Sequence, residues 1–450
     1  MLDPVLLSRM QFALTTIVHI IFPVMSMGLA PFIVYFTWRS LRTDKKVYEQ
    51  LRQFWLRLFS ISFVVGSVTG VVLEFEFGTN FAAFSTMSGS LLGGPVALEG
   101  MMAFFLESTF LGILVFGKDK VSDRTYFLSS ILVAVGSWLS AVWILMANSW
   151  MQTPRGYDIV MQNGHRIVKL IDPVAAYLNP RFPWMFVHMQ NAAVLSIAVF
   201  IAGISAYHLL KDTEEKEFWR KSMKIGVIVL LVSAPFQVIQ GDAYTRHVYR
   251  SQPEKFAAME GVYHNSTDVG LYLFAAPSDP NQLTNLSARN LTGIEVPGMA
   301  SFMASGYTNS SARIQGLDSF KGSPPVAIVF WGFRFMVALG MWFALLSLWS
   351  LYLIYKGDLF SSERLKKAFM YSTVLGFIGV EIGWMVTEVG RQPWTIQGIL
   401  LTKNAVTPGL SGAHALLTLT GFAGGYLLLL GLFIYVVVKQ IKNGVPEVDE

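Results

Sequence analysis

The sequence predicts an all-α polytopic membrane protein with about nine transmembrane helices, its N-terminus outside and its C-terminus cytoplasmic. Three observations carry that expectation. Only 14% of the 450 residues are charged and 53% are hydrophobic, whereas a soluble chain of this size carries about a quarter charged residues. The apolar residues come in blocks long enough to cross about 30 Å of hydrocarbon, not in amphipathic stripes. Lys and Arg also alternate between connections, 19 on one side against seven in the opposite short connections. By the positive-inside rule the richer side is the cytoplasm. A net charge of +5 then belongs mostly to connections facing anionic lipid, and it implies no nucleic acid partner.

Taken in order, the spans are expected at 12–38, 54–77, 95–117, 125–151, 184–210, 222–242, 325–355, 368–389 and 414–438. The first is too long for the apolar core of a cleaved leader. The chain divides accordingly into a six-helix membrane region (residues 1–242), a polar outer loop (residues 243–324), and a three-helix membrane region with a short cytoplasmic tail (residues 325–450). Loops of this length tend to be functional. The Asn-x-Ser/Thr triplets at Asn265, Asn285, Asn290 and Asn309 are what an Asn/Ser/Thr-rich loop produces by chance. The chain has no cysteine, which excludes disulfides, thiolate iron–sulfur ligation, covalent c-type haem and a Cys nucleophile. Any metal chemistry must use His, Met, carboxylate or a non-covalently held haem.

Few residues with chemistry fall inside the spans. Ionisable groups there are expensive and mark sites by default. His19 lies in the first span, Glu74 and Glu76 near the outer end of the second, and Glu99 and Glu107 in the third. His188 opens the fifth, Arg334 and Met336 lie in the seventh, and Glu388 closes the eighth. Singly, a membrane His reads as an interhelical hydrogen bond and a Met as packing. Yet His19, His188, Met336 and Glu388 come from four helices and all map to the outer half of the bilayer, a shared depth that packing residues do not need. A His and a Met on facing helices can hold a low-spin haem, and a single strong ligand leaves iron open for oxygen. On an α-helix, Glu99 and Glu107 would stand ~12 Å apart along the axis and ~80° around it, a stagger suited to a proton relay. Ser108 and Ser140 are placed to help hold water there. The same residues equally permit a carboxylate-lined transporter, or a di-haem cytochrome that passes electrons on without oxygen chemistry.

Five runs decide between these. Arg9–Leu14 leading to His19, Ala97–Phe110 around the two carboxylates, Gln252–Glu260 in the outer loop, Phe333–Val337 around Met336, and Gly390–Trp394 after Glu388 closely resemble subunit I of the cytochrome bd family of quinol oxidases. They occur in the same order. The resemblance implies that His188 and Met336 are axial ligands of a low-spin haem b, with Arg334 balancing haem charge. It implies that His19 and Glu388 serve two neighbouring high-spin haems, one haem b and the other haem d or a third haem b. Trp384 and Arg391 would flank Glu388. Glu99 and Glu107 would deliver protons, and Lys255 and Glu260 would bind and deprotonate quinol. The outer loop lacks a long insertion, so the chain resembles the short-loop branch. The expected partners are a second membrane subunit, a small single-helix subunit, membrane quinol, dioxygen and the lipid bilayer of a prokaryotic cell membrane.

Overall fold

The computed structural model describes residues 2–43, 45–211, 214–277 and 291–447. Among them eight helices are long and apolar enough to span a membrane, and a bent pair makes a ninth span. They are α1 (Pro4–Arg42), α2 (Lys46–Thr79), the third span formed by α3 (Ala82–Leu98), a π-helical turn (Glu99–Ala103) and α4 (Phe104–Phe116), and α5 (Asp123–Gln152). A β1 (Tyr157–Gln162), β2 (His165–Leu170) hairpin and the short α6 (Pro173–Tyr177) lead to α7 (Phe182–Leu210) and α8 (Lys216–Ser251). The long connection holds α9 (Pro253–Glu260), strands β3 (Leu271–Pro277) and β4 (Leu291–Val296), and α10 (Met299–Ala304). Then come α11 (Val326–Lys356), the bent pair α12 (Glu363–Ser372) and α13 (Leu375–Val389), a small β5 (Trp394–Ile396), β6 (Leu400–Leu401) ribbon and α14 (Gly412–Lys442).

Local chemistry sets the ends. Asp3 caps α1 by accepting from Val5 N, with Pro4 in the first turn; Ser122, Ser362 and Ser411 cap α5, α12 and α14 through their hydroxyls. Each accepts from a backbone N–H that a helix start leaves unpaired. The β1–β2 turn is Asn163-Gly164, both at positive φ, the pairing a tight two-residue hairpin demands.

The bundle is organised around α7, which is buried along most of its length. Its neighbours approach closely because small residues face it. A Cβ at Gly28 of α1 would stand 2.5 Å from the Ala193 carbonyl oxygen, and one at Gly203 would stand 2.2 Å from Thr373 Oγ1. In membranes such contacts replace the missing hydrophobic drive between helices. The outer surfaces of the third span, α11 and α14 expose large apolar side chains, among them Met101, Phe105, Phe116, Leu345, Tyr355 and Leu428.

Two boundaries differ from expectation by nine residues or more. The third span begins at Ala82, not 95, because the Ser/Gly-rich stretch 82–94 is helical: its Phe84, Met87, Leu91 and Leu92 pack against Trp150, Val168 and Ile396. Tertiary burial overrides weak local propensity there. The sixth span runs on to Ser251, nine residues beyond 242, since nothing breaks the helix before Pro253. The loop therefore starts later than 243. Asn285 and Asn290 lie outside the described residues. Asn265 Oδ1 accepts from Gly316 N and Ser319 Oγ, tying two distant stretches of the loop together, and Asn309 Oδ1 accepts from Ser311 N in a local turn.

Candidate functional site

His19 of α1 is fixed by α2. Its Nδ1 lies 2.9 Å from Thr69 Oγ1, and that hydroxyl is within reach of the Val65 and Gly66 carbonyls to which it can donate. The hydroxyl proton is thus committed to backbone, so Thr69 accepts from Nδ1–H and Nε2 keeps its lone pair. His188 repeats the device on α8. Its Nδ1 is 2.5 Å from Gln240 Oε1, whose amide nitrogen donates to Trp184 O. An amide oxygen can only accept, so here too the ring proton sits on Nδ1 and Nε2 keeps its lone pair, which faces the Gln237 amide nitrogen at 3.2 Å.

Met336 packs among Val329, Phe330, Phe333 and Val386. Each of the three residues faces a glycine on a neighbouring helix. A Cβ at Gly70 would meet His19 at 3.2 Å, one at Gly241 would meet His188 at 3.4 Å, and one at Gly383 would meet the Met336 sulfur at 3.1 Å.

Glu388 ends α13 in a dense network. Its Oε1 accepts from Asn148 and Gln152 of α5, at 3.0 and 3.2 Å, and its Oε2 pairs with Arg391. Gln152 Oε1 in turn accepts from Lys255 Nζ at 2.5 Å and from Gln252 Nε2. Gln252 Oε1 accepts from Lys255 and from the buried Arg181. Lys255, 2% exposed, lays its stem on Gly390, where a Cβ would stand 2.9 Å from Lys255 Cγ. Burial, then the nearby Arg181 and Arg391, drives its ammonium well below the usual lysine range. Glu260 is also buried and pushed up by it, against the pull of Arg334, with which it pairs at 3.1 Å. The same guanidinium donates to the Met259 and Tyr272 carbonyls. Arg334 therefore pins the seventh span to α9. Lys255 and Glu260 both face inward, into protein.

The third-span carboxylates face α5. Ser140 Oγ donates to Glu99 at 2.6 Å and Ser137 Oγ to Glu107 at 2.5 Å. Uniform α-helical geometry misplaces them. The π-turn Glu99–Ala103 takes in one extra residue, which cuts the ~80° separation to about 20°. Both acids thus reach one face of α5, to serines three residues apart. Ser108 lies elsewhere, bonded to the Phe105 carbonyl; the partner of Glu107 is Ser137.

Comparison with known proteins shows the family. The family model for cytochrome bd terminal oxidase subunit I matches residues 7–445. The chain belongs to that family. It is 33% identical to the cytochrome bd ubiquinol oxidase subunit 1 of Bacillus subtilis (strain 168), over 98% of this chain and 94% of that one. It is 31% identical to the cytochrome bd-II ubiquinol oxidase subunit 1 of Escherichia coli (strain K12), over 98% and 95%. Among solved structures, the bd oxidase from Geobacillus thermodenitrificans superposes with a TM-score of 0.88 at 29% identity, covering 98% of this chain and 99% of that one. This cytochrome bd subunit I is a multi-pass protein of the bacterial cell membrane and belongs to a quinol:oxygen oxidoreductase. The family implies haem cofactors and a companion subunit.

The residues present fit haem. Imidazole and thioether are haem-iron donors, the Nε2 atoms carry lone pairs, and each facing glycine lets His19, His188 or Met336 lie close against a neighbouring helix. Among the described residues, Arg391 Nε and NH1 and Trp384 Nε1 are buried polar atoms with no hydrogen-bond partner. Thr69, Gln240, Gln152, Asn148, Ser137 and Arg181 also serve the site, although the sequence alone did not single them out. All but Arg181 are neutral. A signal existed in the Asn and Gln residues placed inside apolar spans, which hydrocarbon tolerates only when they are bonded.

Proposed function

We propose that this subunit oxidises membrane quinol beside α9 and reduces dioxygen to water in a haem pocket walled by α1, α2, α5, α7 and α13. The observation that carries the reading is the shared device at His19 and His188, where an oxygen acceptor holds Nδ1–H and leaves the Nε2 lone pair for iron. When bound, haem supplies one-electron transfer and an oxygen-binding iron. His188 and Met336 hold the low-spin haem b. His19 and Glu388 hold the high-spin pair, one haem b and the other haem d or a third haem b.

Lys255, its amine biased toward the neutral form by burial, and Glu260, held by Arg334, bind quinol and take its protons on the outer side. Arg334 fixes Glu260 and so links quinol oxidation to the Met336 helix. Arg391 and Asn148 orient Glu388. Protons for water come from the cytoplasm, passed from Glu107 to Glu99 along the Ser137/Ser140 face of α5. Consuming inner protons while releasing outer ones builds a membrane potential without a pumping element. The region up to Ser251 carries His19, His188 and the proton-path groups, the connection from 252 to 324 the quinol site, and residues 325–450 Met336 and Glu388. A second membrane subunit, and a small single-helix one, complete the assembly.

Reduced-minus-oxidised optical spectra of the intact complex, with oxygen consumption on added quinol, test this. Haem bands and quinol-driven consumption are expected. Met336→Leu removes the low-spin signal and spares the high-spin ones; an unchanged low-spin band sinks the axial assignment. Haem bands without oxygen uptake would make the protein an electron carrier instead.

A further inference from the structure

Helix α13 carries a second carboxylate that the proposed chemistry leaves unused. Glu381 precedes Glu388 by seven residues, so the two leave the helix within about 20° of each other and about 10 Å apart along it. Trp384 lies between them on the same side. Both Glu381 oxygens are shut off from solvent and neither has a hydrogen-bond partner among the described residues, and the Trp384 indole N–H is in the same position. On the adjoining helices, Gln190 of α7 and Asn148 Oδ1 of α5 are likewise buried without partners. These orphaned atoms border the helices that hold His19, His188 and Glu388.

Among the described residues no cation stands by to neutralise Glu381. Neither Lys nor Arg occurs in α1 between Arg9 and Arg39, in α5 between Arg124 and Arg155, or in α7 between Arg181 and Lys211. The same holds in α11 between Arg334 and Lys356, and along α13 from Lys367 to Arg391. The titratable side chains on those stretches are His19, His188, His208, Glu388 and the tyrosines Tyr35, Tyr126, Tyr207, Tyr352, Tyr355 and Tyr371. An ionised Glu381 would be an unpaired charge in hydrocarbon, whereas the acid form is tolerable. Intramembrane acids of this kind mark proton paths.

We propose that Glu381 is a proton-carrying carboxyl of the haem pocket, on the α13 wall and separate from the Glu99/Glu107 pair. Its O–H bond breaks as an electron passes to dioxygen, and the proton goes to the oxygen being reduced, forming a new O–H bond there. A proton taken up from the side opposite Glu388 restores the acid. The proposal rests on the haem reading of the pocket.

Redox-induced infrared difference spectra of the intact complex test it, with optical spectra taken on the same samples. The wild type is expected to show a carboxylic C=O signal that disappears in Glu381→Gln and shifts in Glu381→Asp, with haem bands retained. The pH dependence of the pocket's midpoint potential becomes shallower in Glu381→Gln. If the C=O signal survives in Glu381→Gln with haem bands intact, the proposal is wrong. Absence of haem bands from the wild type defeats the haem reading instead. Should Glu381→Gln fail to assemble, Glu381→Asp decides: a C=O signal unmoved from the wild-type position overturns the assignment.

Discussion

Two acidic regions of this molecule are built in opposite ways. At the α9 end, Glu260 and Glu388 each face an arginine, and the surrounding Lys255, Gln152, Gln252 and Arg181 are tied into one hydrogen-bonded mesh. In the third span, Glu99 and Glu107 each have a single serine hydroxyl and, among the described residues, no cation. The difference separates two tasks. A carboxylate paired with a guanidinium is fixed in place, and so it orients neighbours or holds a substrate at a set position. A carboxyl with one neutral partner can change protonation with little rearrangement, and so it can carry protons.

The largest effect is expected where that lock is broken. Arg334→Gln leaves Glu260 buried beside α11 without its partner, and removing one member of a buried pair costs about 3–5 kcal/mol. Thermal denaturation of the complex should show it as a sharp loss of stability, while Arg334→Met with Glu260→Leu recovers most of the loss. A harmless single substitution would mean that the pair does not pin α11 to α9.

Breaking the other region should spare stability and hit turnover. Glu107→Gln keeps the Ser137 hydrogen bond but cannot pass a proton. Quinol-driven oxygen consumption should fall about a hundredfold, the lower end of what a positioned acid or base contributes, with haem spectra unchanged. If turnover holds while stability drops, Glu107 is structural and the contrast between the regions fails.

Much of this was legible in the sequence because hydrocarbon is an unforgiving solvent. Apolar blocks revealed all nine spans, and the rarity of ionisable residues within them singled out His19, His188, Glu99, Glu107, Arg334 and Glu388. What stayed hidden depends on three-dimensional partners. Nothing in Ala97–Phe110 announces a π-turn, yet that one extra residue decides that Glu107 meets Ser137 and not Ser108. The start of α3 reads as loop because its Ser and Gly residues are helical only through packing on Trp150 and Val168. Lys255 falls in the polar outer loop of the sequence, and nothing there announces that Gly390 admits its stem and that Gln152 and Gln252 hold its ammonium inside.

That π-turn makes the next test sharper. Ser137→Ala removes the sole hydroxyl on Glu107 and should slow oxygen consumption about tenfold, roughly 1.4 kcal/mol in the barrier. Ser108→Ala, one residue from Glu107 in sequence but bonded to Phe105 O, should leave the rate within about twofold, less than half a kcal/mol in the barrier. Equal effects at both serines would return the relay to uniform α-helical geometry.

The smallest effect concerns Glu254, which belongs to the α9 region yet lacks its lock. One carboxyl oxygen, Oε1, is buried without a partner, and burial pushes the acid from its ordinary 4.5 up to about 7 against the weaker pull of Gln397 and Lys255. In the unfolded chain the group loses its proton near 4.5, so between about 4.5 and 7 only the folded state still holds it. Its contribution to stability is complete below about 4.5 and is lost as pH rises through about 7. The melting temperature of the complex should therefore decline from about pH 5 to about pH 8, and Glu254→Gln, which keeps the shape without the titration, should decline less. Equal declines would show that Glu254 does not titrate in this range and is as firmly held as Glu260.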